Sequence, residues 1–301
     1  MKLTHSFTLG RLRCHTIEAG LQRLDGGAMF GVVPRTLWSR RMAPDDRNRI
    51  PLAMRCLLVE HPGGLVLVDS GLGNKEDAKF QEIYGTQNAG RPGPTQLEDA
   101  LRELGHAPSD IRWVINTHLH FDHAGGNTTA VALPDGTSEV RLTFPNATYI
   151  VQRGDLDFAR HTNERTRASY LPHNFEPVDA AGKFRLLEGD GEVFPGIRVR
   201  VTPGHVPWHQ SVIISDGGDT LVFLADLIPT SAHLPLPWIM GYDVEPLRSL
   251  ESRRAMLRDA VAGGWLLLFE HDPRVAYGRA VEAKSGAGLV DEVLAPNAVP
   301  G

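Results

Sequence analysis

Three histidines fall within six residues, at His118, His120 and His123, and Asp122 stands among them. The chain carries 13 histidines in 301 residues. Histidine is the commonest metal ligand, so crowding of this kind asks for more than packing. The segment Thr117-His118-Leu119-His120-Phe121-Asp122-His123-Ala124-Gly125-Gly126 follows Ile111 to Asn116, which reads as a short buried strand. On an extended backbone, residues two apart point to one side, so His118 and His120 reach one ion together. A turn into helix at Phe121 swings Asp122 and His123 to a neighbouring position, while Gly125 and Gly126 permit close approach of the backbone. Four nitrogen and oxygen donors are too many for one open catalytic zinc with three protein ligands. Two adjacent ions are the economical reading.

Two ions need about three more ligands, and strand ends supply them. Thr202-Pro203-Gly204-His205 follows the strand-like run Ile197 to Val201, Asp226 follows Thr220 to Leu224, and His271 follows Trp265 to Phe269. A carboxylate such as Asp226 can bridge two cations. Cations roughly 3.5–4 Å apart hold a bridging water, and a single zinc already lowers a bound water's pKa to about 7. The chemistry expected is hydrolysis, with Asp122 close to both ions as proton carrier to the leaving oxygen. The ligands suit zinc, and iron, manganese or cobalt also fit such shells.

These residues require strands that end at one place. Thr4 to Leu9, Arg13 to Glu18, Leu52 to Glu60, Ala147 to Val151 and Ser211 to Ser215 have strand composition. His61-Pro62-Gly63-Gly64 turns the third of these into a hairpin with Leu65 to Asp69. Thr95 with Glu98 opens a helix that Gly105 stops, and Gly154 to His161 reads as another. Glu245 to Ala262 is the longest helix, with Leu247, Leu250, Leu257 and Val261 on one face. Gly26 to Pro44 has no period and reads as a long ordered loop. Strands followed by helix, repeated in the second half, predict an α/β protein with an αββα sandwich: two mixed β-sheets packed face to face with helices outside. One domain over 1–301 is expected, with a metal-site core over about 52–275. The tail Leu294 to Gly301 is expected to fray.

Composition narrows the classes. A 42% apolar content supports a sizeable core, and 31 Lys+Arg against 36 Asp+Glu leave a net charge of −5. That balance argues against a nucleic-acid partner. No apolar run approaches the roughly 18 residues of a membrane span, and no signal-peptide stretch opens the chain. Cys14 and Cys56 cannot make a disulfide framework and read as buried small hydrophobes. A soluble cytoplasmic protein acting on a small molecule, with neither nucleic acid nor membrane as partner, is the expectation.

The ordered set H-x-H-x-D-H, then His205, Asp226 and His271, resembles the metallo-β-lactamase superfamily over about Leu57 to Asp272. The resemblance implies that His118, His120 and His205 hold one metal and that Asp122, His123 and His271 hold the other, with Asp226 between. It implies that Asp69, in Val68-Asp69-Ser70-Gly71, orients a ligand histidine. It also implies two divalent ions per chain, most often zinc, and raises a homodimer. Gly26 to Pro34, Thr117 to Gly126 and Phe269 to Asp272 resemble the quorum-quenching lactonases, which open N-acyl homoserine lactones. Pro229 stands where well-known members of that group have a substrate-touching tyrosine. An organophosphate triesterase, or another ester or thioester hydrolase on the same frame, is the alternative. Met29, Phe30, Trp38, Trp208, His209, His233 and Trp238, with Tyr242, flank the site residues in sequence. They read either as core packing or as the wall of a substrate pocket for an acyl chain.

Overall fold

The structure, a computed structural model, describes residues 2–298. Its strands are β1 (Thr4–Leu9), β2 (Leu12–Asp25), β3 (Arg49–His61), β4 (Gly64–Val68), β5 (Ile111–Ile115), β6 (Thr128–Ala132), β7 (Ser138–Leu142) and β8 (Thr148–Gln152). They continue as β9 (Phe184–Leu187), β10 (Gly191–Phe194), β11 (Ile197–Val201), β12 (Gln210–Asp216), β13 (Asp219–Phe223), β14 (Leu266–Leu268), β15 (Val275–Glu282) and β16 (Ala287–Leu294). The helices are α1 (Gly26–Phe30), α2 (Arg35–Trp38), α3 (Ala78–Tyr84), α4 (Gln96–Glu103), α5 (Phe121–Ala124), α6 (Arg153–Arg160), α7 (Glu176–Ala180) and α8 (Pro246–Gly263).

Two seven-stranded sheets result, ordered β1-β2-β3-β4-β5-β8-β9 and β10-β11-β12-β13-β14-β15-β16, and β6 and β7 form a separate hairpin. The inner faces meet through residues such as Leu57, Val68 and Ile115 from the first sheet and Val199, Val212 and Phe223 from the second. Leu97, Ala100 and Leu101 of α4 cover the outer face of the first sheet, and Met256, Leu257 and Ala260 of α8 cover that of the second. This is the αββα sandwich expected. Both sheets are mixed, because β4, β5, β8 and β9 pair in parallel and so do β13 and β14. Strands β11 and β13 both run antiparallel to β12, so they share a direction.

Several local expectations change. Gly26 to Pro44 is irregular only in part: α1 opens on Asp25, whose side chain accepts from the Ala28 amide, and α2 follows after Pro34. Two single-turn helices are too short to show a period. The buried face of α8 carries Ser249, Arg253, Met256, Leu257 and Ala260, whereas Leu247 is 78% exposed. The guanidinium of Arg253 is buried because it donates to the carbonyls of His233, Pro235 and Trp238, so a polar residue occupies the inner stripe. The tail is held further than expected, since Ala295 donates to Arg274 O and Asn297 to Lys2 O; residues 299–301 lie outside the described part. Among the described residues no helix is long and apolar enough to cross a membrane.

Candidate metal centre

The carboxyl ends of β4, β5, β11, β13 and β14 open onto one floor. Asp69 follows β4, the histidine run follows β5, His205 follows β11, Asp226 follows β13, and His271 follows β14. After β5 the chain bends at Thr117 and then turns into α5 with His120 as its N-cap residue. Gly125 and Gly126 then pass so close to the Leu72 and Ser70 carbonyls that a Cβ on either would lie 2.0–2.1 Å from those oxygens. Asp69 (φ 54°) and Ala225 (φ 47°) take the left-handed region without being glycine. Strain of that kind collects at functional sites and here flanks the Asp226 and His123 side chains.

His118, His120, His205 and Asp226 form one group, and Asp122, His123 and His271 a second; within each, donor atoms lie within 4.8 Å of one another. Asp226 stands between the groups. One of its oxygens is 2.9 Å from His205 Nε2 and the other 3.0 Å from His271 Nε2. The outer nitrogens are tied down: His205 Nδ1 to Asp243 at 3.0 Å, His271 Nδ1 to Ala53 O at 2.7 Å, and His123 Nδ1 to Asp69 at 3.0 Å. Anchors of this type fix the tautomer and aim the inner lone pair. Asp69 is itself held by the Thr117 amide and hydroxyl, both at 2.7 Å.

The electrostatics call for positive charge. Burial lowers every imidazole here, yet the carboxylates together outweigh it at two of them: Asp226 with Asp243 brings His205 up to about 10, and Asp226 with Glu270 and Asp122 brings His271 up to about 9. His118 and His120 stay well below their ordinary value, through burial and neighbouring imidazoles. Burial pushes Glu270 up to about 8. The donor set fits divalent cations. His118 Nε2 is buried without a hydrogen-bond partner, and His205 Nε2 faces His120 Nδ1 at 3.1 Å. Inward nitrogens and an acidic bridge between them are a cation's environment.

The profile of the metallo-beta-lactamase superfamily matches residues 51–271. The chain belongs to that superfamily. An N-acyl homoserine lactonase of Bacillus cereus is 29% identical to it over 82% of this chain and 89% of that protein. The structure of a probable metal-dependent hydrolase from Staphylococcus aureus superposes with a TM-score of 0.84 at 28% identity, covering 95% of this chain and 100% of that one. A dizinc quorum-quenching lactonase in complex with a product shares the fold at a TM-score of 0.77 and 20% identity, over 97% of this chain and 99% of that one.

In this superfamily member a cleft of about 360 Å³ lies over the floor, with His120, Asp122, His205, Asp226 and His271 at its base. Of the residues expected to wall a pocket, Met29 and Tyr242 reach it. Phe30 is stacked between His233 at 4.3 Å and Trp38 at 5.3 Å, with Trp238 edge-on at 5.7 Å, so these four back the wall. The His233 ring is further tied to Thr230 Oγ1 and Met29 O. Trp208 is 43% exposed and packs over Gly154, outside the cleft. His209 is buried behind His118, its Nδ1 on Thr202 Oγ1 at 2.8 Å, and does not form the rim. Leu24, Leu52, Tyr84, Phe121, Met240 and Val244 make the apolar wall, and Arg165, Thr166 and Ser169 the polar one. Asp243, Glu270 and Gln22 also reach the site and carry no local signature in the sequence.

Proposed function

We propose that the chain is a hydrolase dependent on two divalent metal ions, zinc by ligand type, that opens the ester ring of N-acyl homoserine lactones. His118, His120 and His205 would hold one ion, Asp122, His123 and His271 the other, and Asp226 would bridge them. The position of Asp226 carries this reading, with its two oxygens aimed at histidines of both groups at the base of the cleft. Lactonases among the curated relatives support the substrate class. Bound ions would supply a hydroxide nucleophile at neutral pH and a Lewis acid for the ester carbonyl. The chain's own part is to place both. Asp122, at the cleft base beside His123 and His271, would carry a proton to the leaving ring oxygen. The wall of Leu24, Met29, Leu52, Met240 and Val244 takes an apolar tail and excludes water from it.

The reading takes one domain throughout, a cytoplasmic setting and a small-molecule partner, with neither nucleic acid nor membrane involved and a homodimer as the assembly. The acidic balance supports the partner class. The test is turnover by metal-reconstituted protein of acyl homoserine lactones of increasing chain length, beside paraoxon, a thioester and nitrocefin. Each buried methylene is worth up to about 0.8 kcal/mol, so kcat/KM should rise by roughly tenfold over a few carbons. A flat profile removes the apolar wall from the argument. Paraoxon hydrolysis outrunning every lactone moves the assignment to the triesterase alternative, for which Pro229 leaves room.

A further inference from the structure

Gln22 is fully buried on β2, and its amide nitrogen donates to Asp122 Oδ2, while its carbonyl oxygen is buried with no partner. A buried amide that leaves one end unsatisfied destabilises the fold, and each such group in a native structure needs a reason. The backbone supplies one. Between the pairs Glu18↔Arg55 and Leu21↔Ala53, β2 advances three residues while β3 advances two. The extra residue is a bulge at Ala19-Gly20, where Gly20 has φ 138° and a Cβ would lie 2.5 Å from the Asn88 Cβ. A one-residue slip exchanges the faces of a strand, and bulges re-aim side chains beside active sites. Upstream of the bulge, Ile17 and Ala19 pack on the outer face of the sheet, with Thr16 and Glu18 on the other. Unbulged alternation would put Gln22 with Thr16 and Glu18. The bulge sends it to the side where Met54 meets Leu72 and Phe121, beside Asp122.

We infer that Gln22 is a positioning residue for the hydrolytic reaction: it fixes the Asp122 carboxylate at one oxygen and so sets where that group meets the leaving oxygen. Asp122 is buried at the base of the cleft. Its other neighbours across the site are the His123 and His271 Nε2 atoms, at 3.8 and 3.7 Å, too far to hold its orientation by hydrogen bonds. Gln22 is the group that does so. The inference rests on the hydrolase reading above.

The variant Gln22→Met keeps the side chain's length and removes both polar atoms. A packing role and a positioning role then predict opposite results. If Gln22 positions Asp122, metal-free Q22M melts within a few degrees of the metal-free parent, because loss of the unpartnered carbonyl offsets loss of the donor to Asp122 Oδ2. Loaded with zinc, it keeps its ion content and a KM within about twofold, and loses roughly 10- to 100-fold in kcat, the range for removing an outer support of a metal ligand. The cobalt-substituted protein should show an altered visible ligand-field spectrum, since Asp122 turns. Gln22→Glu, which sets a second carboxylate against Asp122, should be worse than Q22M. An unchanged kcat and cobalt spectrum at full ion content overturns the inference. So does a fall in kcat that merely follows a fall in melting temperature. If the loaded parent turns over no lactone or other ester, the hydrolase reading fails, and the melting and cobalt comparisons still decide the role of Gln22.

Discussion

The Asp226 side chain is reached by three chain segments, and its replacement separates ligand from scaffold. Asp226→Ala should leave the chain folded while abolishing most turnover, because the remaining histidines then face one another without a bridging charge. His209→Ala should be much milder, since its ring lies behind His118 and is held by Thr202. Ion content by mass spectrometry beside kcat checks both; metal lost from H209A and retained by D226A would sink the ligand assignment. Asp243→Ala probes the next layer. Its carboxylate holds His205 Nδ1 at 3.0 Å, so its loss should cost about 10–100-fold in metal affinity or activity. Titration with a competing chelator reads the first of these directly.

At the scale of elements, β2 and β3 present their alternate residues to different layers. Cys14 faces the space between the sheets and Cys56 the layer under α4. The two thiols are therefore on opposite faces and cannot join, and burial pushes Cys14 up to about 12 and Cys56 well above its usual value. Both should be silent to a thiol reagent in the native protein, and two should react in denaturant; fast native labelling would contradict the packing described. The strands that lead to the candidate ligands were legible because each is a short run rich in apolar and β-branched residues with His or Asp a few residues beyond it, a pattern contained within about ten residues. The cleft wall was not. It is assembled from Leu24, Met29, Leu52, Tyr84, Phe121 and parts of the segments 165–169 and 240–244, which only the tertiary fold brings together. Between core packing and pocket wall, the aromatic residues around Trp38 fall to packing for a physical reason: Phe30, Trp38, His233 and Trp238 satisfy one another, and leave the cleft to Tyr84, Phe121 and Tyr242. Gln22 was hidden because a bulge reverses the alternation on which its strand would be read.

Across the whole molecule, the proposed ions tie one sheet to the other. Removing them leaves Asp226 and the buried histidines around it to balance charge among themselves, a poorer arrangement than a dication. Metal binding should therefore stabilise the fold by about 2.7 kcal/mol at free metal 100-fold above its dissociation constant. At roughly 2–4 °C per kcal/mol for a chain of this size, a strong chelator should lower Tm by several degrees, reversibly on zinc addition. An unchanged Tm would mean that the site adds nothing to the joint between the sheets. The order of the strands has one more result. The first sheet is drawn wholly from residues before the turn 188–190 and the second wholly from residues after it. The first portion carries His118, His120, Asp122 and His123, and the second His205, Asp226 and His271. Two separately expressed fragments divided at that turn would each expose half of the inter-sheet core and hold an incomplete donor set. Mixed together, they should reassemble into one particle whose association constant is set by divalent metal, eluting together with zinc and apart with a chelator. The fold would then serve as a metal-gated pair of complementing fragments.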